Sequence, residues 1–168
     1  MKTLLVILGP NGVGKSTASQ ALLARCSRSA YVDSDACRAM NPFALTPVTR
    51  DVVVRNMADL VRNYLQCQEI DTVIFPYGFH KGRKELFEEM LGQVRITVEF
   101  SVFTVVLTCS EEENRRRAQK DGRDADRIER GIRNTLHLHE GMGLSQINVT
   151  NLSPEATAER ILALWREV

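Results

Sequence analysis

Short apolar segments alternate along the chain with longer segments in which apolar residues recur every three to four positions. The short segments predict strands and the longer ones predict helices. The predicted strands are Thr3 to Leu8, Ala30 to Val32, Thr72 to Phe75, Ser101 to Leu107 and Ile147 to Val149. Such alternation is typical of a parallel sheet covered by helices. We therefore predict an α/β fold of three layers, with about five parallel strands and helices on both faces.

Polar residues mark where several of the helices begin. Thr46 and Ser153 are each followed by proline, the pattern of an N-cap residue with proline at the first helical position. Ser110 has Glu113 three residues later, the spacing of a capping box. Gly122 interrupts the helix that follows Ser110. No repeat or low-complexity stretch divides the 168 residues, so we predict a single domain over 1–168.

The charge balance is nearly neutral, with 22 Lys and Arg against 21 Asp and Glu. A neutral surface disfavours nucleic acid as a partner, without excluding it. No apolar run approaches the roughly 20 residues of a membrane span, and the first residues lack a signal-peptide cleavage site. We expect a cytoplasmic protein with no membrane partner, either monomer or homodimer. The four scattered cysteines predict reduced, mostly buried thiols.

The segment GPNGVGKS, from Gly9 to Ser16, matches the phosphate-binding loop pattern at every fixed position. It lies between a predicted strand and a predicted helix, as that pattern requires. Glycines let the backbone curl so that its N–H groups face phosphate oxygens. In such loops the lysine reaches the β- and γ-phosphates and the serine hydroxyl ligates Mg²⁺. We predict that the nucleotide-binding residues are Gly9, Asn11, Gly12, Val13, Gly14, Lys15, Ser16 and Thr17.

Two carboxylates, Asp33 and Asp35, follow the second predicted strand. In an extended segment these two side chains point the same way, and the carboxyl ends of parallel strands meet at one crevice. Such a pair suits catalysis, since one carboxylate orients a metal-bound water while the other accepts a hydroxyl proton. Alternatively, the residues cap the next helix, because Ser34 and Asp35 are good N-cap types.

A phosphate loop followed about 20 residues later by D-x-D-x-x-R resembles the small P-loop kinases. Shikimate kinase, chloramphenicol phosphotransferase, the zeta-toxin kinases and phage polynucleotide kinase belong to this group. The resemblance implies an adenylate-kinase-like P-loop NTPase fold, with ATP and Mg²⁺ as cofactors. It implies that Asp35 is the general base, that Asp33 supports Mg²⁺, and that Arg38 steers an acidic or phosphorylated acceptor. The implied activity is γ-phosphoryl transfer to a hydroxyl of a small-molecule metabolite, nucleotide or antibiotic.

An arginine-rich segment, Asn114 to Arg133, holds seven Arg and one Lys against four acids. The related kinases place a mobile lid here, which implies a lid at about residues 112–133. By this resemblance Arg116 binds the nucleotide, and Arg116 and Arg123 stabilise charge on the transferring phosphoryl group. Lys120 stands where the family usually has arginine. The alternative is a solvated helix carrying arginine–acid pairs.

The segment from Val73 to Arg83 ends the third predicted strand, where the family places acceptor-binding residues. Tyr77 and Phe79 offer aromatic faces for a ring, and Arg83 offers a positive charge for an anion. His80 fits either this pocket or a plain surface loop. The segment lacks the glycine triplet of shikimate kinase and the D-G-[FY]-P-R motif of nucleoside monophosphate kinases, which disfavours both of those acceptors.

Two further positions have more than one interpretation or none in chemistry. Phe43, in the NPFALT segment, either folds over the acceptor or anchors the loop in the core. His137 and His139 are predicted on a helix, facing different directions, so they do not form a metal pair.

Other functional classes fit less well. A GTPase needs an N-K-x-D motif that the sequence lacks, and an AAA-type motor needs a helical lid domain for which 168 residues leave no room. A polynucleotide 5′-hydroxyl kinase is supported by D-x-x-R but opposed by the neutral charge. A nucleotide-dependent switch remains the non-enzyme alternative, although a switch does not need a base on the acceptor side.

Overall fold

A computed structural model describes residues 1–167, and five parallel strands form its single sheet. The strands are β1 (Thr3–Leu8), β2 (Ser29–Tyr31), β3 (Thr72–Pro76), β4 (Ser101–Thr108) and β5 (Ser145–Asn148). Their order across the sheet is β2-β3-β1-β4-β5, and every neighbouring pair is parallel. The predicted α/β class and parallel sheet are therefore confirmed, with strand boundaries within two residues of those expected.

Six α-helices and one 3₁₀ turn connect the strands. The helices are α1 (Lys15–Leu23), α2 (Pro47–Gln66), α3 (Arg83–Arg95), α4 (Glu111–Lys120), α5 (Ala125–Thr135) and α6 (Pro154–Arg166). Thr46 and Ser153 cap α2 and α6 as predicted. Ser110 also caps α4, but the Glu113 carboxylate bonds to arginines instead of returning to Ser110 N. Only half of the predicted capping box is therefore present.

The central strand β1 explains the unbroken apolar run at the start of the chain. Leu4 to Leu8 are all fully buried because both faces of β1 are covered. Leu4, Val6 and Leu8 pack in the cluster that includes α2 and α3 side chains. Leu5 and Ile7 pack on the other face, among α1 and α6 side chains. Burying each such side chain stabilises the fold by about 1.5–3 kcal/mol.

The structure corrects the prediction for the two histidines. Helix α5 ends at Thr135, so His137 and His139 lie in the turn that follows the helix. His137 is exposed, whereas His139 is only 3% exposed and packs against the Phe79 ring, with centroids 6.0 Å apart. The sequence pattern misses this burial because a turn has no regular period.

The cysteine prediction holds only in part. All four cysteines are free thiols, but only Cys37 is buried. Cys26 and Cys109 are half-buried, and Cys67, just after α2, is exposed. Across residues 1–167 no helix combines the length and the apolar character needed to cross a bilayer.

Candidate functional site

A cavity of about 440 Å³, called here the phosphate cavity, opens at the carboxyl ends of the central strands. This is where open parallel sheets bind their ligands. Most of the predicted site residues line it: Asn11, Gly12, Val13, Gly14, Lys15, Ser16, Thr17, Asp33, Asp35, Tyr77, Arg83, Arg116 and Arg123. Gly9 and Arg38 lie outside its lining. The phosphate loop, both carboxylates and the lid therefore meet at one place in the fold.

The phosphate loop follows β1 and curls around the Lys15 amine. Lys15 Nζ donates hydrogen bonds of 2.9 Å to the carbonyl oxygens of Gly9 and Pro10. Gly9 has φ +149°, and a Cβ there would lie 2.5 Å from the Leu107 carbonyl oxygen. Only glycine fits this close approach of loop to β4. The predicted Gly-rich cradle is thus formed by the backbone itself.

The electrostatics of the cradle favour an anion. Burial lowers the pKa of Lys15 to about 8, and the positive charge of Arg83 lowers it further in the same direction. A phosphate group nearby would stabilise the charged amine. Helix α1 begins at Lys15, so its N-terminal end, which carries partial positive charge, adds to the same field.

The two carboxylates do not share an extended segment, and that prediction was wrong. The chain turns after β2 into the 3₁₀ turn Ala36–Arg38. Asp33 Oδ1 accepts hydrogen bonds from the N–H groups of Asp35, at 2.9 Å, and Ala36, at 3.3 Å. Capping is therefore done by Asp33, not by Ser34 or Asp35 as the capping alternative required. Ser34 instead donates its hydroxyl to the Pro76 carbonyl at 2.8 Å, which joins the turn to β3.

Asp35 is an exposed carboxylate held between two guanidinium groups. Its Oδ1 lies 3.2 Å from Arg38 Nε and 3.5 Å from Arg83 Nη2. Arg83 is only 8% exposed and lies over the Tyr77 ring, 4.3 Å from its centroid. Tyr77 in turn donates its hydroxyl to the Arg83 carbonyl oxygen. The predicted aromatic stacking of an acceptor on Tyr77 is therefore wrong, since Arg83 covers the ring.

The lid arginines are paired with acids in this structure. Arg116 donates to the Glu113 carboxylate at 2.7 and 2.8 Å, and its side chain is 64% exposed. Arg123 Nη2 lies 3.6 Å from Asp121. Both arginines line the phosphate cavity, and so does Lys120. The structure thus brings the predicted lid residues to the site while also forming the arginine–acid pairs of the alternative interpretation.

Arg117 is a site residue that the sequence analysis missed. It donates to the Val13 carbonyl at 2.6 Å, to the Val149 carbonyl at 2.8 Å and to Glu113 at 2.6 Å. It therefore joins α4 to the phosphate loop and to the end of β5. Hydrogen bonds from Arg116 and Arg117 hold the pKa of Glu113 well below its usual range. In the sequence only the i,i+4 spacing of Glu113 and Arg117 hints at this role.

The backbone of Asn11 is held by two buried side chains from the lid helices. Asn11 N donates to Thr135 Oγ1 at 3.0 Å, and Asn11 O accepts from Asn114 Nδ2 at 2.9 Å. Thr135 and Asn114 are each 2% exposed. This pair, which we call the Asn11 clamp, fixes the middle of the phosphate loop. Sequence reasoning missed it because partners more than 100 residues apart leave no local pattern.

A second cavity of about 240 Å³, called here the acceptor-side cavity, adjoins the first. Arg38, Phe43 and Arg83 are among the residues that line it. Phe43 is 54% exposed and lies below the Arg38 guanidinium, so the hypothesis of a core anchor was wrong. His80 also lines the cavity, and burial followed by the charge of Arg83 lowers its pKa to about 4.

The chain belongs to the AAA domain family, whose model matches residues 5–136. This membership leaves our argument against an AAA-type motor as a prediction, because the match concerns a domain and not an assembly. Comparison with curated proteins finds none that matches the chain.

Solved structures resemble the fold over nearly its whole length. A sugar kinase from Janibacter sp. HTCC2649 is 20% identical, with a TM-score of 0.66, and 99% of this chain and 95% of that chain are covered. The tunicamycin resistance protein of Deinococcus radiodurans is 18% identical, with a TM-score of 0.68 and coverage of 98% and 96%. Shikimate kinase from Acinetobacter baumannii is 18% identical, with a TM-score of 0.65 and coverage of 99% and 94%. The chain therefore has the P-loop kinase fold that its motifs predict.

Proposed function

We propose that this protein is an ATP- and Mg²⁺-dependent kinase that transfers the γ-phosphoryl group to a hydroxyl of a small-molecule acceptor. The observation that carries the proposal is the placement of Lys15 and Asp35 on one cavity. A phosphate-binding amine and an exposed carboxylate at one site are the two groups that phosphoryl transfer to a hydroxyl needs.

On the nucleotide side, the N–H groups of the phosphate loop and the start of α1 bind the phosphate oxygens, and Lys15 neutralises their charge. Apolar groups at the other end of the cavity, Leu107, Val149 and Leu152, offer a surface for the base. Arg116 and Arg123 stabilise charge on the transferring group, and both already line the cavity. The loop residues Gly12, Val13, Gly14 and Thr17 shape the cradle around the phosphates.

The residues fit a Mg²⁺ ion, which would neutralise charge on the β- and γ-phosphate oxygens. Mg²⁺ prefers hydroxyl, carboxylate and water oxygens, and the Ser16 hydroxyl and Asp33 carboxylate line the same cavity. Both residues are exposed, which suits a site that retains several waters. The capping bonds of Asp33 use Oδ1 and fix the orientation of the carboxylate.

On the acceptor side, Asp35 accepts the proton of the attacking hydroxyl at its carboxylate. Arg38 and Arg83 hold that carboxylate from two directions and attract an anionic group on the acceptor. Most of the rate enhancement comes from positioning and charge stabilisation, because this chemistry asks little covalent work of the protein.

A transfer assay with γ-labelled ATP tests the proposal against pooled hydroxy metabolites, antibiotics and 5′-hydroxyl oligonucleotides. Lys15→Ala is expected to abolish both nucleotide binding and transfer. Asp35→Asn is expected to abolish transfer while leaving nucleotide binding within a few-fold. Asp51→Asn, an exposed aspartate on α2, is the matched control and retains transfer.

Three outcomes contradict parts of the proposal. Transfer only to the oligonucleotides supports a polynucleotide kinase, and slow hydrolysis with no acceptor supports a switch. Full transfer by Asp35→Asn shows that Asp35 is not the base.

A further inference from the structure

The acceptor-side cavity offers a compact binding site next to the proposed base. Four residues line both cavities: Ser34, Tyr77, His80 and Arg83. Its volume of about 240 Å³ lies just below the roughly 300–1,000 Å³ of typical small-molecule sites. Its occupant is therefore small, and one end of that occupant reaches the carboxylate of Asp35.

The walls of this cavity lack hydrogen-bond acceptors. None of the residues that line it in the described chain is Asp, Glu, Asn or Gln. The hydroxyls of Ser34 and Tyr77 are donated to backbone carbonyls. A polyol would leave several of its hydroxyl donors unpaired here, each at a cost of about 1–3 kcal/mol. This wall chemistry opposes a sugar or other polyol.

Apolar side chains from three elements form most of the remaining wall. Val53 and Met57 come from α2, and Leu86 comes from α3. Phe43 and Leu45, from the loop before α2, complete it and are 54% and 48% exposed. An apolar ligand would cover these two side chains and gain about 25 cal/mol for each Å² of apolar surface removed from water.

The charged groups that line the cavity all carry the same sign. They are the cations Arg38, Lys81 and Arg83. The nearest carboxylate, Asp35, pairs with two of them at the junction with the phosphate cavity. Three cations against one shared carboxylate leave positive charge for an anionic group on the ligand.

We propose that the phosphoryl acceptor is a compact hydroxy acid with an apolar body, such as an aryl or branched alkyl group. This inference rests on the proposed function, in which the hydroxyl lies at Asp35. The hydroxyl oxygen forms a bond to the γ-phosphorus of ATP as the bond to the ADP oxygen breaks. The hydroxyl proton passes to the Asp35 carboxylate, and the products are ADP and a phosphate ester.

Direct binding tests the cavity without any need for catalysis. Calorimetric titration of the wild-type protein uses mandelate, phenyllactate and hydroxymethylbenzoate as apolar hydroxy acids. Benzyl alcohol has the apolar body without the charge, and glucose and gluconate are the polyols. At least one hydroxy acid is expected to bind about tenfold more tightly than benzyl alcohol and either polyol, a difference of about 1.4 kcal/mol.

Matched variants locate the binding. Phe43→Ala and Leu45→Ser are each expected to weaken hydroxy-acid binding by about fivefold or more, from the loss of one apolar wall. Val48→Ser is the control, because Val48 is 74% exposed and lines neither cavity. Far-UV circular dichroism confirms that each variant is folded.

The inference is overturned if a polyol binds more tightly than every hydroxy acid, if no hydroxy acid binds at millimolar concentration, or if Leu45→Ser leaves binding unchanged. Failure of the proposed function gives a different result. Hydroxy acids would then bind with the expected variant pattern, yet ATP would transfer no phosphoryl group to them. Transfer to a polyol alone would keep the kinase and refute the apolar acceptor.

Discussion

Replacing His139 with leucine is expected to change how the stability of the protein depends on pH. The imidazole is 3% exposed, and neither ring nitrogen has a hydrogen-bond partner among residues 1–167. Burial, with a smaller contribution from the charge of Lys15, lowers the pKa of His139 from 6.5 to about 4. The folded protein therefore holds this ring neutral at pH values where the unfolded chain protonates it.

The direction and size of the effect follow from proton linkage. Between pH 6.5 and 4 the unfolded state binds more protons at this residue, so the free energy of unfolding falls as the pH falls. The full difference is about 3 kcal/mol, at 1.36 kcal/mol per pKa unit. About 2 kcal/mol of it is lost between pH 8 and pH 5. His139→Leu removes this loss, so the variant gains about 2 kcal/mol relative to wild type over that range.

Urea unfolding followed by circular dichroism at pH 8, 7, 6 and 5 measures the difference. His80, whose pKa is also lowered to about 4, contributes equally to both proteins and cancels. His137→Leu is the control, since this side chain lies on the same turn, is 72% exposed and pairs with Glu140. The reasoning is refuted if the difference between wild type and His139→Leu stays constant from pH 8 to pH 5.

Two further changes test the phosphate loop. Gly9→Ala places a Cβ 2.5 Å from a β4 carbonyl at φ +149° and is expected to cost about 1–3 kcal/mol, measured by thermal unfolding, with loss of nucleotide binding. Gly92→Ala, in α3 with nothing within 4 Å of a new Cβ, is its control and is expected to stabilise by up to about 1 kcal/mol. Thr135→Val breaks the Asn11 clamp and leaves Asn11 N unpaired, at a cost of about 1–3 kcal/mol in stability, together with weaker nucleotide binding by calorimetry. Thr135→Ser keeps the hydroxyl and restores both, whereas equal values for Val and Ser would show that the clamp bond is not needed.

Local pattern was enough to predict most of the fold and the nucleotide side of the site. The buried run of β1, the proline-marked helix starts and the Gly9–Ser16 loop are each specified within a few consecutive residues. The same holds for Arg123, which the lid resemblance selects and which lines the phosphate cavity in the structure.

The remaining features depend on contacts between distant parts of the chain. Asp33 caps a 3₁₀ turn because the chain bends after β2, which no period of two or 3.6 residues reveals. Arg117 differs from Arg116 only in the face of α4 that meets Val13 and β5. The apolar walls of the acceptor-side cavity likewise become visible only when α2 and α3 are placed side by side.

Two groups of lid residues have different roles in the geometry of the site. Arg117 and the Asn11 clamp bond to the phosphate-loop backbone and to the end of β5, and three of these contacts involve side chains that are buried or half-buried. They hold the base of the lid and the loop in one arrangement. Arg116 and Arg123, in contrast, pair with carboxylates near the surface. Exposed pairs of this kind contribute only about 0–1 kcal/mol, so exchanging a carboxylate for a phosphate oxygen costs little. The fixed group thus positions the cradle, while the exchangeable arginines can turn to the phosphates without disturbing it.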